Sequence, residues 1–71
     1  MAKIQIVHTS GQIFTLNEPR EEFEKTIQIL DDALRSEGDA GWAILQMAGK
    51  SLCIPLLALK QSIIVVDKDA P

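Results

Sequence analysis

The sequence predicts an α+β domain: a small antiparallel sheet of about five strands in ββαβββ order, with one helix packed across one face. Three observations carry this. Residues 3–7 and 12–16 alternate between two side-chain faces, the period of a half-buried strand. Phe23, Ile27, Leu30 and Leu34 recur at intervals of four, three and four, which is one face of a helix. Residues 42–66 are strand-like and nearly uncharged, with Lys50 and Lys60 as the charged side chains among them.

In the first strand, residues 3–7, Ile4 and Ile6 share one face and Gln5 and Val7 the other. His8-Thr9-Ser10-Gly11 is polar and ends in glycine, as a short hairpin loop requires. Residues 12–16 return as the second strand, with Phe14 and Leu16 inward and Ile13 and Thr15 opposite; β-branched side chains favour extended backbone here. Asn17-Glu18-Pro19 then opens a helix. Asn17 is the expected cap and Pro19 is tolerated in the first turn, having no amide to satisfy. Glu18, Glu21 and Glu22 complement the positive end of the helix dipole. Ala33 widens the apolar stripe, while Glu21 with Lys25, and Asp31 with Arg35, are i,i+4 pairs for the wet side. Gly38 is the expected stop, and residues 39–41 a loop.

Residues 42–47 and 51–54 form the third and fourth strands, joined at Ala48-Gly49-Lys50. Pro55 cannot donate to a ladder, so it ends a strand or lies on an edge. Residues 55–61 hold good helix formers, enough for a turn or two, but the pattern does not decide between turn and helix. Residues 62–67 are the last strand and residues 68–71 a short polar tail, so 1–71 reads as a single small domain. The layout resembles that of many small bacterial and phage proteins, a likeness of architecture that carries no function with it.

Composition narrows the classes. A chain of 71 residues buries about 60% of the surface that it exposes when unfolded, so its core is small. One cysteine and one histidine leave no disulfide, no metal staple and no cofactor to be expected. A lone cysteine fits a reducing compartment. The N-terminal residues alternate instead of forming a continuous apolar core, and the longest apolar run, residues 52–59, falls short of the ~20 residues of a spanning helix. A cytoplasmic protein is expected, with no membrane partner. Net charge is −3, and residues 18–39 hold eight acids against Arg20, Lys25 and Arg35. The strands are mildly basic through Lys3, Lys50, Lys60 and Lys68, yet a nucleic-acid binder needs a dense positive stripe.

No motif specifies a reaction. Gly49-Lys50-Ser51 matches the tail of a phosphate loop, but Ile44 stands where the motif needs glycine, and a strand follows where it needs a helix. Cys53 lies between Leu52 and Ile54 as a buried structural thiol would, and His8 belongs to a loop. The acids at 31, 32, 37 and 39, and at 67 and 69, lack the spacing of a calcium loop. Trp42 is either a core plug or an interface anchor.

One helix covers one sheet face. The apolar residues of the other face, with Val7, Ile13, Ile64 and Val66 as candidates beside Trp42, would then form an exposed patch. The expected function is that of a non-enzymatic, self-associating protein acting through protein contacts, a homo-oligomer whose other partners are unknown. The alternatives are a nucleic-acid-binding module on the mildly basic sheet, and a small-molecule or enzymatic site formed between subunits. Ile64 and Val66 share one face of the last strand, Ile63 and Val65 the other, and the sequence does not say which pair is core.

Overall fold

The computed structural model describes residues 1–47 and 49–69; Ala48, expected in the second hairpin turn, and Ala70 and Pro71, expected in the tail, lie outside the described residues. The order is β1 (Ala2–His8), β2 (Ile13–Glu18), α1 (Arg20–Arg35), β3 (Trp42–Met47), β4 (Lys50–Pro55), α2 (Leu56–Lys60) and β5 (Ser62–Asp67). The α+β class and strand succession are those the sequence predicts. The single sheet is corrected: β2-β1-β5 form one antiparallel sheet and β3-β4 a second. The reason lies in β1. Its two edges are taken by β2 and β5, and β2 runs directly into Pro19 and α1, so the second hairpin closes on itself.

The first hairpin turns through Gly11, whose positive φ of 96° suits a residue without Cβ. Gly11 N–H donates to the His8 carbonyl, and His8 N–H to the Gln12 carbonyl. Two expected helix boundaries move. Pro19 is the N-cap of α1, without a side-chain cap, and Asn17 lies in β2. The helix ends at Arg35, not Gly38, because Ser36 turns extended and donates its hydroxyl to the Ala33 carbonyl at 2.7 Å. Lys60 Nζ donates to the carbonyls of Ser36 at 2.8 Å and Gly38 at 2.6 Å, tying the exit of α1 to the end of α2. Within residues 55–61, Leu56–Lys60 form a helix, with Pro55 as its N-cap and the Leu56 N–H taken by the Gly41 carbonyl.

The inner faces of both sheets close on one core. Ala2, Ile4 and Ile6 of β1 meet Leu16, Ala43, Leu45 and Ile54, and α1 and α2 add Phe23, Leu30, Leu56 and Leu59. α1 lies against β3 and α2, while α2 touches β1, β3 and β4 and so bridges the two sheets. Of the predicted stripe, Phe23 and Leu30 are buried and Ile27 half-buried, but Leu34 is exposed in the last turn of α1. Phe14 is likewise at the margin, 37% exposed on the inner face of an edge strand. Lys25 pairs with Glu22 in place of Glu21, while Arg35 pairs with Asp31 at 3.0 Å as expected.

Candidate interaction surface

Side-chain direction follows from register, since residues directly opposite in an antiparallel pair project from the same face. On the inner face of the three-stranded sheet Ile6 sits between Phe14 and Ile64, and Ile4 between Leu16 and Val66. On the outer face Val7 sits between Ile13 and Ile63, Gln5 between Thr15 and Val65, and Lys3 between Asn17 and Asp67. The outer face therefore grades from an apolar row, through a mixed one, to a charged one. Ile63 is 69% exposed and Ile13 58%, with Val65 about half exposed beside them.

This sorts the candidate residues. Val7 and Ile13 lie on the outer face together, Val7 half-buried between its two neighbours. Ile64 and Val66 do not join them: they project to the core side, where Ile64 packs half-buried against the core and Val66 remains partly exposed. The outward pair of the last strand is Ile63 and Val65. Trp42 belongs to another surface, the outer face of the β3-β4 hairpin. There it stands opposite Pro55, and Ile44 opposite Cys53. Trp42 is 62% exposed, so it is no core plug, because Ala43 and Leu45 take the inward positions of its strand. The same parity turns Cys53 outward, and the expectation of a buried thiol is corrected: it is exposed.

The remaining sequence candidates fall as follows. His8 and Cys53 line one small cleft of about 170 Å³, but His8 Nδ1 is engaged by the Ser10 hydroxyl at 2.9 Å and the Ser10 amide at 3.1 Å. Lys50 and Ser51 lie in β4, where Ser51 Oγ donates to Gln46 Oε1 at 3.2 Å. Among the described residues, no three His, Cys, Asp or Glu side chains converge as metal ligands. The lysines are dispersed: Lys3 is flanked by Asp67, and Lys60 is held by two carbonyls and, at 3.8 Å, by Asp39. No helix is long and apolar enough to cross a membrane among the described residues.

One polar feature escapes the sequence pattern. Glu18 and Thr26 are both buried, and Thr26 Oγ1 lies 2.8 and 2.6 Å from the two carboxylate oxygens of Glu18. The bond ties the end of β2 to the second turn of α1. Both residues line a cleft of about 630 Å³, with Lys25, Ile29, Gln46 and Lys50 on its walls. The available signal was the eight-residue separation of an acid at a strand end from a hydroxyl on the helix's inner stripe. No protein-family model, curated protein or solved structure matches the chain.

Proposed function

We propose that the chain is a small self-associating protein that acts through protein contacts and performs no chemistry of its own. Copies meet through the three-stranded sheet. The observation that carries this is the exposed row of Ile13, Val7 and Ile63, with Val65 adjoining it. Complete burial of a Val or Ile side chain stabilises by about 1.5–3 kcal/mol, so half-exposed ones contribute on the order of 1 kcal/mol each. Two copies bring twice that sum against an association cost of at least ~4 kcal/mol. The balance favours association that is weak as a dimer and depends on concentration. A micromolar dissociation constant corresponds to about −8 kcal/mol, and the apolar row alone falls short of it.

Light scattering on a size-exclusion column, run from dilute to concentrated samples, tests the reading. The expected mass rises above the 7.8 kDa of the chain as concentration increases. Val65→Lys places a charge on the outer face of β5 without touching the core, and should return the mass to that of one chain. A wild-type mass of 7.8 kDa at every concentration would overturn the proposal.

A further inference from the structure

We infer that the second copy joins along the unpaired edge of β5, so that two three-stranded sheets continue as one sheet of six. This rests on the self-association proposed above and names the edge along which copies meet; pairing there joins the outer rows of the two copies side by side. β5 is bonded to β1 on one side, and no strand borders its other side among the described residues. Exposed strand edges recruit further strands unless a charge, a proline or a bulge blunts them. β4 is blunted by Lys50 at its start and Pro55 at its end, and β2 runs into Glu18 and Pro19. From Ser62 to Val66, β5 carries no charge and no proline, and four of its residues are β-branched.

The strand's own sequence selects a register. Antiparallel pairing about a two-fold axis normal to the sheet keeps outer residues on the outer face. With Ile64 on the axis, Ile63 of each copy lies beside Val65 of the other, and Ser62 beside Val66. Moving the axis to Val65 would oppose Ile63 to Asp67, setting a charge against an aliphatic side chain, and moving it to Ile63 would run Val65 and Val66 past Ser62 and out of the other copy's strand. Antiparallel pairing also keeps the Asp67 ends of the two strands apart, whereas parallel pairing would align them. In the favoured register the outer apolar row of Ile13, Val7 and Ile63 runs on into Val65 of the second copy. Directly opposed side chains then have Cβ atoms about 5 Å apart, and diagonal ones about 7–8 Å apart.

That difference defines the test, because a disulfide holds Cβ atoms roughly 3.5–4.5 Å apart, which a directly opposed pair at the near end of its range reaches with a small shift and a diagonal pair does not. In a Cys53→Ser background, proteins carrying Ile63→Cys and Val65→Cys are mixed and oxidised slowly. Both substitutions replace exposed side chains and leave the core intact. The mixed disulfide dimer should form several-fold faster than either homodimer. On unmodified protein, amides of β5 should exchange slowly in concentrated samples and rapidly on dilution. Oligomers by light scattering with no preference for the mixed disulfide would overturn edge pairing and leave self-association standing. A monomer at all concentrations would overturn both.

Discussion

Thr26→Val tests the buried polar link at the base of α1. Valine keeps the shape of threonine and removes the hydroxyl that lies 2.8 and 2.6 Å from the Glu18 carboxylate oxygens. A hydrogen bond to a charged group contributes about 1.5–3 kcal/mol, and an acceptor stranded away from water costs at the upper end of that range. Glu18 is 7% exposed, so solvent has little access to replace the lost donor. A loss of about 2–3 kcal/mol follows, or roughly 8–24 °C in melting midpoint for a domain this small. Glu18→Leu combined with Thr26→Val should be less damaging than the sum of the two single changes, because neither partner is left stranded. Urea titration followed by circular dichroism measures all three, at one protomer concentration since association adds to apparent stability. An unchanged slope with a lower midpoint identifies a stability change in place of a change in compactness. If Thr26→Val lies within about 0.5 kcal/mol of wild type, the carboxylate is hydrated from the cleft and the bond does not hold the fold.

Leu30→Ala removes a buried side chain at the centre of α1 and should cost about 2–5 kcal/mol, whereas Leu34→Ala, exposed in the last turn, should cost less than about 1 kcal/mol by the same urea assay. Gln28→Ala loses only an exposed hydrogen bond to Asp32 and should change stability by less than about 0.5 kcal/mol. Lys60→Ala strips two carbonyls of their shared donor; hydrogen exchange across residues 36–41 should accelerate before global stability falls by more than about 1–2 kcal/mol.

The sequence resolves what is local. Alternation finds β1, the run from Ser62 to Asp67 bounds β5, and the stripe of Phe23 and Leu30 finds the buried side of α1. It leaves open whatever depends on distant pairing. Nothing within residues 42–54 indicates that their hairpin stands apart from β1, since that is decided by β5 returning to claim the second edge of β1. The parity of β3 is equally undetermined: Trp42 and Ile44 are as apolar as Ala43 and Leu45, and it is the smaller pair that faces inward. That single choice also sends Cys53 outward, opposite Ile44. The parity of β5 is fixed in the same way, by register with β1, and it moves Ile64 and Val66 off the candidate surface. Thr26 looks like a polar residue out of place until Glu18 is known to reach it.

Two apolar outer faces remain, and they make different demands on a partner. The hairpin face presents Trp42 and Ile44, with Leu57 exposed on α2 nearby in sequence. Its β4 edge ends in Pro55, which has no amide with which to extend a sheet. The three-stranded sheet combines an apolar face with an unblunted edge, so hydrogen bonds and side-chain contacts can form together there. Trp42 distinguishes the two, because it is the only tryptophan in the chain and it is 62% exposed. If copies join along β5, Trp42 stays in water and its emission maximum holds as concentration carries the protein from monomer to oligomer. If they join through the hairpin, the indole is buried as an anchor and its emission shifts to shorter wavelength along the same mass transition. A blue shift that tracks the mass, and disappears in Ile44→Lys but not in Val65→Lys, would refute the assignment to the three-stranded sheet and move the interface to the hairpin.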